Sequence, residues 1–366
     1  SKTRYNGFKQ KGYIMKLNFF LASSACLALS LQAQNTTDST SVKPNEVQKT
    51  VTLTIPSWAP HISGTIRAKG EYQTEEKEGR FEVRNARVAF DGNVLPNVIY
   101  KAEIDFSDEG QIKMLDAYAG IKPLKAFSLR LGQMRVPFSI DAHRSPHQQY
   151  FANRSFIAKQ VGNVRDVGLT FGYTFDKIPL TLEAGTFNGS GLTNQKDYWT
   201  KTLNFSAKAQ YVLPFGLTLQ GSVQKISPNG GAVYLYDGGA TLHCGNWTIE
   251  GEYLRKHYTN NTFSDVNAID AFVCYLLPLQ RVFDHVSFLA RYDQMGNHSN
   301  GQLNADGVLQ IDDAARKRVT GGVTFSFSKK INADIRLNYE KYFYDDKALA
   351  KPSERDKAVI ELMVHF

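Results

Sequence analysis

Residues 357–366 read KAVIELMVHF and alternate without a break. Ala358, Ile360, Leu362, Val364 and Phe366 fall on one side, and Val359, Glu361, Met363 and His365 on the other. A period of two is a β-strand whose two faces differ. Final residues usually fray into solvent, yet here the apolar row runs to Phe366. Such a row is expected of one stave in a closed sheet, with Phe366 facing lipid and this strand pairing with the first.

The same period recurs upstream. In VIYKAEIDF, Val98, Tyr100, Ala102, Ile104 and Phe106 oppose Lys101, Glu103 and Asp105. In TLNFSAKAQY, Leu203, Phe205, Ala207, Ala209 and Tyr211 oppose Asn204, Ser206, Lys208 and Gln210. Sixteen such segments are expected, near 61–72, 80–92, 97–107, 111–121, 126–134, 164–175, 179–188, 200–213, 215–226, 231–243, 246–258, 266–277, 284–294, 316–328, 331–343 and 357–366. Two of them, 231–243 and 266–277, separate their faces poorly. A soluble sandwich also alternates, so the connections decide. Short links such as Leu213-Pro214 and Cys244-Gly245 take turns with long polar ones such as 135–163, 295–315 and 344–356. Short turns on one rim and long loops on the other are the rhythm of an outer-membrane barrel. The expected fold is therefore all-β: a transmembrane antiparallel β-barrel of about 16 strands, with a long inward-folding loop after the fifth. Sixteen staves enclose an aqueous lumen. Aromatics near strand ends (Tyr173, Phe175, Tyr198, Trp199, Tyr258, Phe343, Tyr344) are expected to form interfacial girdles.

The 366 residues carry 43 Lys and Arg against 35 Asp and Glu, a formal charge of +8. Much of that excess sits at the start. Lys16 precedes the apolar run FFLASSACLALSL, residues 19–31, and Gln32-Ala33 follows it. A basic start, a short greasy core and a small residue at the exit describe a secretory signal peptide, expected to be cleaved near Ala33. Met15 is the expected start, with 1–14 an upstream extension. Cys26 also admits a lipoprotein reading, but no Leu stands three residues before it. The leader holds five basic residues and no acid, so what remains is 38 basic against 35 acidic side chains. A charge of about +3 is no argument for nucleic acid. The expected domains are the leader (1–33), a periplasmic polar segment (34–60) and the barrel (61–366). Cys244 and Cys274 are too few for a disulfide framework and are expected to be free.

Five stretches bear a likeness to a known family: FEVRNARVAFDG (81–92), LDAYAG (115–120), LRLGQMRVPFS (129–139), FANRS (151–155) and NVRDVGLTFGY (163–173). Their order and spacing resemble the phosphate-selective porins O and P. Beyond residue 190 only strand count, loop rhythm and the terminal Phe366 agree. The resemblance implies a 16-stranded outer-membrane porin, commonly trimeric, in which an inward-folded loop narrows the pore.

The long insertion Arg135–Asp166 carries Arg135, Arg144, Arg154, Lys159 and Arg165, with Asp141 and Asp166 its only acids. Folded into the lumen, these five cations would lower the barrier to anions, and guanidinium forks suit phosphate oxygens. In the other reading, Arg154 and Arg165 tie the loop to wall carboxylates such as Asp116, Asp105 or Glu103. Arg135, Arg144 and Lys159 would then be solvated. The expected pore wall is mixed: Lys101, Arg130 and Lys208, with Arg87, Lys256, Arg318 and Arg336, against Glu103, Asp105, Asp116, Asp166, Glu250, Glu252, Asp334, Glu340 and Glu361. No one-sided cationic ladder emerges, which leaves selectivity open.

Catalytic and metal chemistry find little support. Asp141, His143, Ser145 and His147 lie close together but not in a nucleophile elbow. His243 and Cys244 sit at a tight turn where a metal would lack two ligands. DGVLQIDD (306–313) lacks calcium-loop spacing, and the sequon at Asn260 is not expected to matter after bacterial export. No catalytic residue, metal or cofactor is expected. The expected function is a water-filled diffusion channel of the bacterial outer membrane for small solutes, with a preference for anions, phosphate or oligophosphate among them. Its expected partners are outer-membrane lipid, two further copies in a homotrimer, and the barrel assembly machinery acting on the strand that ends in Phe366. The alternative is a barrel that merely anchors a loop-borne binding or enzymatic activity.

Overall fold

The computed structural model describes residues 58–366 except 161–163, 193–194, 228–230, 260–262, 300–304, 307–309, 311–312 and 329–331. The expected leader, nearly all of the polar segment, the sequon at Asn260 and much of the acidic stretch 306–313 lie outside the described residues. The strands are β1 (His61–Gln73), β2 (Glu78–Leu95), β3 (Val98–Asp108), β4 (Gln111–Leu124), β5 (Phe127–Arg135), β6 (Arg165–Thr174), β7 (Leu180–Phe187) and β8 (Asn204–Val212). Then come β9 (Leu217–Ile226), β10 (Val233–Cys244), β11 (Trp247–Tyr258), β12 (Val266–Pro278), β13 (His285–Met295), β14 (Arg316–Ser326), β15 (Asn332–Tyr344) and β16 (Lys357–His365). Between β5 and β6 lie a single 3-10 turn, Pro146–Gln148, and one short helix, α1 (Phe156–Gln160).

Each strand pairs antiparallel with its neighbours in sequence, and β1 pairs with β16 to close the barrel. At that seam Thr65 faces His365 and Gln73 faces Lys357. The backbone pairing extends one residue past β16: Phe366 N–H donates to Gly64 O at 3.0 Å and Gly64 N–H to Phe366 O at 2.9 Å.

Closure with a period of two gives every strand an outer and an inner row. Phe81, Phe106, Leu131, Phe205, Ile249, Phe288, Leu362 and Phe366 are exposed, while Arg318, Arg336, Asp293, Glu340 and Glu361 are buried. A water-soluble chain shows the reverse. Apolar side chains turned out of a closed sheet and charges turned in are what a bilayer selects, since no open strand edge can meet hydrocarbon.

Register corrects two of the expected girdle aromatics. Trp199, Tyr173, Tyr198 and Phe343 are exposed. Tyr258, however, is buried against Phe263, and Tyr344 donates to the Glu354 carbonyl at 2.8 Å. Both share parity with inward residues of their strands, Lys256 and Tyr342.

The interior packs around the chain between β5 and β6. Val136, Phe138, Ala142, Phe156, Ile157 and Ala158 from that segment pack with Leu235, Leu254, Val266, Ala268, Met295 and Tyr342 of the wall. Phe151 joins Phe272, Cys274 and Leu289. These contacts explain why 231–243 and 266–277 hide their period. β10 and β12 carry apolar side chains inward as well as outward, because their inner rows meet the segment rather than water.

Candidate functional site: the lumen and the segment across it

The segment between β5 and β6 is pinned, over residues 137–156, to strands on opposite arcs of the barrel. On β8 and β9, Ser206 Oγ donates to Pro137 O at 2.8 Å and Ser222 Oγ accepts from Ser139 N–H at 3.0 Å. On β11, the Glu252 carboxylate accepts from Ser139 Oγ (2.5 Å), Ile140 N–H (2.7 Å) and Asp141 N–H (3.2 Å). Gathering three donors on one carboxylate accompanies a left-handed Ser139, φ 63°. Such a backbone is rare outside glycine and persists only where its surroundings hold it. Across the lumen, Asp293 accepts from Phe156 N–H at 3.0 Å, and Asn338 from Ala152 N–H at 2.8 Å. Arg67 donates to Gln149 Oε1 at 2.9 Å and Ala152 O at 2.6 Å. The segment therefore lies against the inner faces of β1, β8, β9, β11, β13 and β15.

The five cations singled out from the sequence do not gather at one point. Arg165 reaches Asp116 at 2.7 Å and Glu103 at 3.3 Å. Arg144 pairs with Glu250 at 2.6 Å and Asp141 at 3.3 Å. Lys159 meets Glu354 at 3.1 Å. Among the described residues Arg154 reaches no wall carboxylate; its guanidinium binds the carbonyls of Asp141 and Arg144 within the segment. The reason is reach, since Arg154's own backbone is held by Arg318, which donates to its carbonyl at 2.7 Å. Arg135 donates to the carbonyls of Ala142, His143 and Arg144 at 3.0–3.3 Å. Among the described residues it has no carboxylate within ion-pair distance.

Beside Arg135 the segment leaves a recess of about 270 Å³ against β3–β7, lined by Lys101, Asp116, Tyr118, Arg130, His143, Ser145, Gln148 and Glu183. Lys101 bridges Glu103 (2.9 Å) and Asp116 (2.8 Å), Lys208 pairs with Glu183 at 2.9 Å, and Arg130 is 3.5 Å from the same carboxylate. Asp105 takes Arg87 at 2.8 Å. On this arc Arg87, Lys101, Arg130, Arg135, Arg165 and Lys208 stand against Asp91, Glu103, Asp105, Asp116, Asp166 and Glu183. The cation held by carbonyls instead of a carboxylate is Arg135.

The other groups considered for chemistry are dispersed. His143 lines the recess, His147 stacks on His365, and His243 Nδ1 lies 3.0 Å from Thr248 Oγ1. Cys244 and Cys274 are free. Sequence reasoning placed Glu250, Glu252, Arg318 and Glu340 on the wall without a role, and it passed over Asp293, Arg67, Asn338 and His365 as partners. Charged residues spaced two apart inside a strand, as in Glu250 and Glu252 or Arg291 and Asp293, were the available signal.

The fold is that of an outer-membrane porin. OmpF of Salmonella typhi in complex with daunomycin is 15% identical, with a TM-score of 0.61 over 85% of this chain and 98% of that one. OmpT of Vibrio cholerae in its trimer form is 13% identical, at 0.57 over 85% and 100%. An anion-selective porin from Comamonas acidovorans is 11% identical, at 0.56 over 84% and 98%. At such identities the likeness is one of fold. No curated protein matches the chain. Residues 63–238 match the family Phosphate-selective porin O and P, a range that holds all five motifs of the resemblance. That range is a little under half of the chain, and with the porin fold it places the protein in the bacterial outer membrane.

Proposed function

We propose that the chain is a passive diffusion channel in which the segment between β5 and β6 narrows the lumen and the remaining path, along β3–β7, prefers small anions. Phosphate and oligophosphates are the solutes that the family's name suggests. One observation carries the reading: Arg135 presents its charge beside the recess with only carbonyls to hold it, while the recess's other cations, Lys101 and Arg130, are paired with Asp116 and Glu183. An unneutralised cation at a constriction lowers the barrier for anions and raises it for cations. The trimeric form of OmpT supports a homotrimer, with the long-loop rim outside and lipid around the apolar rows.

The test is the reversal potential of the refolded protein in a bilayer under a tenfold KCl gradient. A permeability ratio favouring chloride is expected, reduced about threefold or more in Arg135→Gln. Arg144→Gln combined with Glu250→Gln should change it far less, because the two together remove a matched pair and leave the local charge unchanged. Cation preference in the unsubstituted protein, or an unchanged ratio in Arg135→Gln, would remove the anion reading.

A further inference from the structure

The tip of the segment rests on a pair of imidazoles. His147 lies flat on His365, with ring centroids 3.6 Å apart and planes 6° from parallel. His365 is fixed from behind, its Nδ1 2.9 Å from both the Thr65 hydroxyl and the Gly64 carbonyl oxygen. The stack thus joins the lumen segment to the β1–β16 seam. It borders a small cavity whose wall includes Arg87 and Asp91 from β2 and Lys101 and Glu103 from β3. Arg135 and Arg336 also act on it electrostatically.

Of the two carboxylates that line this cavity, Asp91 is half-exposed and Glu103 is taken up by cations. Asp91 is 3.6 Å from His61. Glu103 is shared by Arg87, Lys101 and Arg165, and Arg336 is held by Glu361 at 2.8 Å and Asp334 at 3.4 Å. Among the described residues neither ring has a carboxylate within ion-pair distance, so an imidazolium at His147 would have no anion beside it to offset its burial.

We propose that the His147–His365 stack is an acid-released latch: protonation of His147 drives the Ser145–Gln148 tip off β1 and β16 and widens the passage beside it. The latch regulates the path described above and rests on that reading.

Direction follows from linkage. Burial, then His365 and Arg135 beside it, hold His147 down at about 4, against about 6.5 for a free imidazole. The docked tip is therefore neutral, and the released tip takes up a proton. Docking is at full strength above about pH 6.5 and weakens by about tenfold per unit as pH falls towards 4. Gln149, held by Arg67, stays in place as the pivot.

Two measurements test this. In bilayers, unitary conductance should rise about twofold between about pH 7 and about pH 4.5. In His147→Phe, which keeps a flat ring on His365 but cannot titrate, it should stay level. Independently of conduction, a spin label on Ser145→Cys, in a Cys244→Ser background because Cys244 is exposed and Cys274 buried, should gain mobility over the same range. That gain should vanish when His147→Phe is added. A label that stays immobile throughout, or a His147→Phe profile that matches the unsubstituted one, overturns the latch. Label mobilised by acid in a protein that conducts at no pH supports the latch and removes the channel reading instead.

Discussion

Asp293→Ala is expected to destabilise the barrel by about 3–5 kcal/mol and to raise open-channel conductance about twofold. Asp293 accepts from Arg318 Nε at 3.0 Å and Nη2 at 2.7 Å, and from Phe156 N–H at the start of α1 at 3.0 Å. Arg318 is fully buried. Without Asp293 it keeps Glu340 at 3.5 Å and the Phe156 ring, 4.6 Å from its Cζ. Removing the nearer carboxylate of a buried pair costs more than the pair itself contributes, because Glu340 and the Tyr342 hydroxyl offset less of the guanidinium's desolvation. The segment loses both its amide contact at Phe156 and a firm Arg318 beneath the Arg154 carbonyl, so it loosens where it crosses the lumen. Thr320→Val, two residues along β14, is the control. The Thr320 hydroxyl is buried without a hydrogen-bond partner among the described residues, so its removal should cost within about 1 kcal/mol. Urea midpoints read from the gel mobility of folded and unfolded forms, with bilayer conductance beside them, decide the matter. A midpoint and a conductance both unchanged in Asp293→Ala would show that the segment is held elsewhere.

The barrel was legible because its two faces meet different solvents. Along β3, Lys101, Glu103 and Asp105 face in while Ala102, Ile104 and Phe106 face out, and one chain position reverses the side. The expected wall residues Arg87, Lys101, Arg130, Lys208, Lys256, Arg318 and Arg336 share the inner rows with the carboxylates set against them. Parity tells the face of a side chain, however, and not its partner. Arg144 with Glu250, Lys159 with Glu354 and Phe156 with Asp293 are brought together only by the segment's path across the lumen. Tyr258 and Tyr344 show the opposite failing. Their parity already put them inside, and their place near strand ends outweighed it in the reading. β10 and β12 were obscure for a physical reason, since Leu235 and Phe272 face an apolar partner within a lumen that the sequence presents as wet.

Gly64→Val should reduce the folded fraction at least about tenfold on refolding into detergent, because the seam closes over that glycine. Gly64 and Phe366 exchange both backbone hydrogen bonds, and a β-carbon on Gly64 would lie 2.4 Å from Phe366 Cζ. The ring covers the bare glycine, a known way of shielding a strand glycine with an aromatic. A valine must either expel the ring or part the two backbones. Parting them leaves polar groups unsatisfied in hydrocarbon at several kcal/mol each, and about 1.4 kcal/mol is already tenfold. Ala68→Val adds two methyl groups to the same outer row of β1 away from Phe366 and should refold normally. Phe366→Ala keeps the backbone pair and makes room, so Gly64→Val combined with Phe366→Ala should recover refolding in vitro. In cells the double variant separates two roles of the aromatic. If the assembly machinery reads the ring, it stays unassembled although it refolds in detergent; if the ring only shields Gly64, assembly recovers as well. Gly64→Val that refolds as well as the unsubstituted protein would mean that the close approach of ring and glycine has no part in closing the barrel.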